Sequence, residues 1–157
     1  RFILATLAPL LKANGFKKKS ATWHRLNAET ISVLNVQGSQ WGPSFYINLG
    51  IYACWLGNKP TPMEYECHAR LRLDNLLNEA DRTTLDAALG FDEELARIFN
   101  RKLIPADARS EILVRLVRDF ALPWLNKGTT RCGLAEVVSC EEVFSVPEVR
   151  GLQPPSQ

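Results

Sequence analysis

The feature that most constrains this chain is a long stretch without charge. Between Thr30 and Asn58 there is no Asp, Glu, Lys or Arg, in a protein that is 23% charged overall. Such a segment suits strands in the middle of a sheet, flanked on both sides. Within it, Phe45, Ile47, Leu49 and Ile51 alternate with Tyr46, Asn48, Gly50 and Tyr52. Successive side chains of a strand point to opposite faces, so the first set predicts a core face and the second a polar, aromatic surface. β-branched and aromatic runs separated by turn formers predict four strands, Ala21 to Leu26, Thr30 to Gln37, Ser44 to Ala53 and Glu64 to Leu73. Asn27-Ala28-Glu29 and the segment from Gly38 to Pro43 read as hairpin loops. In the last strand Cys67, Ala69, Leu71 and Leu73 are expected on the core face, with Glu66, His68, Arg70 and Arg72 on the other.

Helical spacing flanks this block. Phe2 to Lys12 spaces its apolar residues at three and four and stops at Asn14-Gly15, with Pro9 predicting either a kink or a start nearer that proline. After the fourth strand the period becomes helical again. Asp81 is the expected cap of a helix ending at Gly90, and Asp92 that of one through Leu95, Ile98 and Phe99. A longer helix follows Pro105, with the stripe Ile112, Leu113, Leu116, Val117 and Phe120 and an end or kink at Pro123. A short helix from Thr130 and a final extended piece are both compatible with the remainder, and Gly151 to Gln157 reads as a disordered tail. The order predicts an α+β fold: an antiparallel meander of about four to five strands, with the N-terminal helix and the C-terminal helices on one face. A doubly wound parallel sheet would need crossover helices between strands, and none intervene.

The 157 residues fit one domain, residues 1–150. Nothing approaches the roughly 18 apolar residues of a membrane span. Cys54, Cys67, Cys132 and Cys140 match no zinc spacing, so reduced thiols, the cytoplasm and no metal or cofactor are expected. The net charge of +2 demands no polyanionic partner, yet it averages an uneven chain. Arg1, Lys12, Lys17, Lys18, Lys19 and Arg25 precede the first acid, Glu29.

The string Leu10 to Lys19, followed by an aromatic and Arg25 and then Val33 to Gln37, resembles the start of the bacterial family known as domain of unknown function 4304. Phe45 to Tyr52, Cys67 to Arg72 and Phe120 to Leu125 resemble its later blocks, in the same order, so the likeness spans about residues 4–125. The chain departs from the family at Ala88-Leu89-Gly90-Phe91, where a tryptophan-containing segment is common. The resemblance implies a shared fold and a shared polar sheet face, and it implies no reaction.

Three candidate sites follow. The first is the polar sheet face, with Tyr46, Asn48 and Tyr52 beside His68, Arg70 and Arg72, and Asn35 and Gln37 from the strand before. Antiparallel neighbours lie about 5 Å apart, so phenols, amides and guanidiniums would converge there. The plain alternative is a solvated face on which Glu66 pairs with the arginines. The second is a basic patch of Lys17, Lys18, Lys19 and Arg25 beside Phe16 and Trp23, the mix that nucleic-acid surfaces use. One lysine cluster is a weak signal, and lysines that keep a sheet edge from pairing explain it as well, so nucleic acid is not the expected partner. The third is catalysis, with His24 and His68 on neighbouring strands as the available imidazoles. Without a nucleophile elbow, a phosphate-binding glycine loop or an HExxH helix, the residues argue against an enzyme. The reading is a non-enzymatic binding module for a protein or peptide, immunity-like in its specific form, as monomer or homodimer. The alternative is a small-molecule or nucleotide binder or hydrolase using a pocket on the same face.

Overall fold

A computed structural model of the chain describes residues 1–41, 44–90, 97–98, 100 and 104–152. Helix α1 (Phe2–Ala13) buries Ile3, Leu7 and Leu11 along one stripe. It begins well ahead of Pro9. Pro9 and Ala5, whose carbonyl loses its amide partner, are both exposed, so water can satisfy the gap. The end of α1 follows from Gly15, whose φ of +82° lies in the left-handed region. Phe16 N–H then reaches back to the Leu11 carbonyl at 3.0 Å and Gly15 N–H to that of Lys12 at 3.1 Å, closing a Schellman cap.

Six strands follow in an antiparallel meander ordered β1 to β6: β1 (Lys17–Lys19), β2 (Thr22–Leu26), β3 (Thr30–Gly38), β4 (Phe45–Ala53), β5 (Ala69–Arg72) and β6 (Phe144–Ser145). The two strands beyond the expected four are β1, three lysines with no apolar alternation to announce them, and β6, two residues long. β5 is shorter than predicted because Glu64–Glu66 forms a 3₁₀ turn, closed by Met63 N–H donating to the Glu66 carboxylate at 2.8 Å.

Helix α2 (Glu79–Leu89) is capped by Asn78, whose side chain accepts from Asp81 N–H at 2.8 Å. Asp81 is therefore not the cap; its carboxylate pairs with Arg115 at 2.8 Å. The helix expected after Asp92 lies outside the described residues. Helix α3 (Ala106–Leu116) does not stop before Pro123. It widens into one π turn, Val117–Ala121, and continues as α4 (Leu122–Lys127). Leu122 N–H bonds the Val117 carbonyl, and the wide turn makes room for a proline without an amide hydrogen. Thr130 caps α5 (Arg131–Val138) through Gly133 N–H at 3.1 Å, and α6 (Pro147–Arg150) follows β6. Leu152, expected in a disordered tail, packs against the core; residues 153–157 lie outside the described residues.

The core forms on one face of the sheet. Leu34, Leu49, Ile51, Ala69 and Leu71 meet Leu7 and Leu11 of α1, Leu113 and Leu116 of α3, Leu125 of α4 and Leu134 of α5.

Candidate functional site

The strand register sets the second face. One row crosses it as Lys19, Thr22, Asn35, Asn48 and Arg72. The next reads Lys17, His24, Val33, Gly50, Arg70 and Phe144, and a third pairs Leu26, Ile31 and Tyr52. Gln37 and Tyr46 pair at the remaining end. The first row is a ladder of hydrogen bonds: Asn35 Nδ2 donates to Thr22 Oγ1 at 2.9 Å, and Asn48 Nδ2 to Gln37 Oε1 at 2.9 Å and Asn35 Oδ1 at 3.4 Å. These bonds let Thr22 and Asn48 stay buried without stranded polar atoms.

The face is not open throughout, and this corrects the expectation of a solvent surface. The β4–β5 connection folds back over its Tyr52 end. Cys67, expected on the core face, lies on this side with Ile31, Val33 and Tyr52 in a second apolar cluster. The 3₁₀ turn breaks the alternation before β5 starts, so the strand pattern does not extend back to Cys67. Gly50 makes the cover possible: a Cβ there would stand 2.6 Å from the Cys67 sulfur. Tyr52, at 5% exposure, is therefore structural. Its hydroxyl accepts from Lys59 N–H at 3.4 Å. His24 holds the same cover down by donating from Nε2 to the Pro62 carbonyl at 2.8 Å, and Lys19 Nζ donates to Thr61 Oγ1 at 3.0 Å. Lys59 and Glu66 form an ion pair, so Glu66 does not pair with the face arginines.

His68 is half-buried against Tyr52, ring centroids 4.7 Å apart. Its Nδ1 accepts Ala53 N–H at 2.9 Å, and burial holds it below the ordinary histidine value while Glu148 pulls it back up. That nitrogen is occupied by the backbone and is no free general base. His24 and His68 are not on neighbouring strands, since β3 and β4 separate them. Burial pushes the Cys67 thiol up, so it stays protonated. Among the described residues no group of three or more His, Cys, Asp or Glu is placed to hold a metal ion.

The predicted residues that do converge are Asn35, Tyr46, Asn48, Arg70 and Arg72, toward the end away from Tyr52, where Arg72 is exposed, Asn35, Tyr46 and Arg70 are partly so and Asn48 is buried. The Arg72 guanidinium lies over the Tyr46 ring, 4.2 Å from its centroid, and that of Arg70 over Phe144 at 4.3 Å. Glu64, half-buried, faces both; burial raises its carboxyl and the two arginines pull it back. Sequence reasoning missed Phe144 and Glu64 at this end.

The basic patch divides. Lys17 and Lys19 are on the second face and, with Lys18 between them on the strand, line a cleft of about 470 Å³ shared with His24, Leu26, Ile31 and Thr61. Lys18 lies on the other side of the sheet over Trp23, 5.7 Å from the ring. Arg25 is structural: it stacks on Phe16 at 4.7 Å and donates to Asn27 Oδ1 at 3.0 Å and Asn126 Oδ1 at 2.8 Å, tying the β2–β3 turn to α4.

Architecture and site together define an α+β domain whose helix-backed meander sheet presents a half-covered second face, ending in two stacked arginines. The chain belongs to the family described as Domain of unknown function (DUF4304), whose model matches residues 7–127. That range includes β1 to β5 and ends before β6 and its Phe144. Comparisons with curated proteins and with solved structures gave no match. No helix among the described residues is long and apolar enough to cross a membrane.

Proposed function

We propose that the chain is a non-enzymatic binding module that engages a protein or peptide through the uncovered end of its second sheet face; neutralising a toxin is one specific form of that role. The observation that carries this reading is the composition of that end. Arg70, Arg72 and Tyr46 are bordered by Phe144 on β6 and by Glu64 of the 3₁₀ turn. Aromatic and arginine side chains dominate the energetic centres of protein interfaces, and ring-stacked guanidiniums lose little freedom on docking. Four free cysteines fit a cytoplasmic setting.

The test is affinity capture with the wild-type chain, a Tyr46→Ala/Arg70→Ala double variant, and Glu111→Ala on the exposed side of α3. A partner retained by the wild type and by Glu111→Ala is expected to be lost from the double variant. Retention by the double variant would show that another surface binds.

A small-molecule reading has one observation in its favour, the cleft beside Lys17, Lys19 and His24. Its volume is in the range of ligand sites. It lies at the β1–β2 edge and is lined by His24, not by His68, and the Nε2 of His24 is already taken by the Pro62 carbonyl.

A further inference from the structure

Arg25, Arg82, Arg109, Arg115, Arg118 and Arg150 each donate a hydrogen bond to a protein acceptor. Arg70 and Arg72 differ from these and share with Arg131, which lies over Trp55 at 5.2 Å, a stacked guanidinium without such a bond; what sets them apart is that two of them stand on one strand, two residues apart. Among the described residues neither guanidinium donates a hydrogen bond or lies in an ion pair, and Arg70 Nε is buried with no partner. That nitrogen has no accessible surface, so an incoming acceptor would be received by the terminal Nη groups of the two guanidiniums and not by Arg70 Nε itself. Both planes are already fixed by stacking on Phe144 and Tyr46, which leaves their N–H edges as oriented forks.

We propose that Arg70 and Arg72 receive two carboxylates of an acidic, extended segment of a partner protein. This rests on the binding-module reading and names the partner's chemistry. The arginines are two residues apart on one strand, so their Cα atoms are about 6.6 Å apart, the spacing at which Glu-x-Glu presents two carboxylates from a second extended chain. The amide of Gln37, an exposed residue whose Oε1 is taken by Asn48, is a further donor at the same end. Glu64 beside the pair leaves one net positive charge among the three groups. Two carboxylates held one to each guanidinium match the two separate forks, which a single phosphate group does not, and each ring already carries a guanidinium over one face.

The experiment follows the arginine Nε–H signals of the full chain by NMR while adding acetyl-Glu-Ser-Glu-Ser-Glu-amide. The Gln-for-Glu peptide, a phosphoserine peptide and oligo-dT are added in parallel. The expected result is a saturable shift of Arg70 and Arg72 with the acidic peptide and none with the Gln peptide. Binding should weaken about tenfold or more in Arg72→Lys, which keeps the charge and loses the fork at an exposed position. Absence of a shift at these two arginines, an equal response to the Gln peptide, or stronger binding of the phosphopeptide or oligo-dT would each overturn the assignment. None of these results decides the binding-module reading, which stands or falls on the Tyr46→Ala/Arg70→Ala capture.

Discussion

Replacing Gly50 by Ala tests whether the cover over the second face is seated as described. The new Cβ would stand 2.6 Å from the Cys67 sulfur and 2.9 Å from its Cβ, with Val33 Cβ at 3.6 Å. Glycine-to-alanine at a conformationally compatible site stabilises a chain by about 0.4–1 kcal/mol through the unfolded state. Overpacking a filled position costs about 1–3 kcal/mol. Taking the middle of each range, the net loss is about 1.3 kcal/mol, a fall in Tm of about 3–5 °C for a chain of this size. Gly38→Ala is the control, because its added Cβ meets nothing closer than the Phe45 ring at 3.9 Å, and it should be neutral or stabilising. Thermal unfolding measures both variants, and an Ellman's titration reads the cover directly. Cys54, Cys132 and Cys140 are exposed and should react without denaturant, whereas Cys67 should react only on unfolding. In Gly50→Ala the Cys67 thiol should become reactive in the folded protein. If Gly50→Ala matched Gly38→Ala in Tm and left Cys67 silent, the packing of Cys67 on Gly50 would be refuted.

Two further outcomes follow from single side chains. His68 has its folded value depressed by burial, so its contribution to stability is complete above the unfolded value of about 6.5 and is lost as pH falls through the lower folded value. The stability difference between wild type and His68→Gln should therefore change between about pH 7.5 and about pH 5, against the wild type at the acid end, and a constant difference would refute the assignment. Thr30, with no exposed surface, donates from Oγ1 to the Gly128 carbonyl at 2.6 Å; Thr30→Val should cost about 1–3 kcal/mol in urea unfolding, and a loss below about 0.5 kcal/mol would deny that bond its role.

The sequence by itself determined the meander and its helical backing. Period-two alternation in Phe45 to Tyr52 and period 3.6 in Ile112 to Leu116 are local consequences of backbone geometry, and both appear as read, the helical period widening only in the π turn from Val117. It also brought Asn35, Tyr46, Asn48, Arg70 and Arg72 to one face, because register between adjacent antiparallel strands follows from alternation once one face must be buried. Only the tertiary structure decided which part of that face is open. The β4–β5 connection carries no period, and its course depends on a pocket above Gly50, on the His24 bond to Pro62 and on the Met63–Glu66 turn, contacts between residues distant in sequence or lacking any repeating pattern. The same holds for the lysine run and Arg25: adjacent residues of a strand point to opposite faces, so a patch read along the chain divided across the sheet. Phe144 reached Arg70 because a two-residue strand paired at the far edge, a contact between segments more than seventy residues apart and invisible to any window along the sequence.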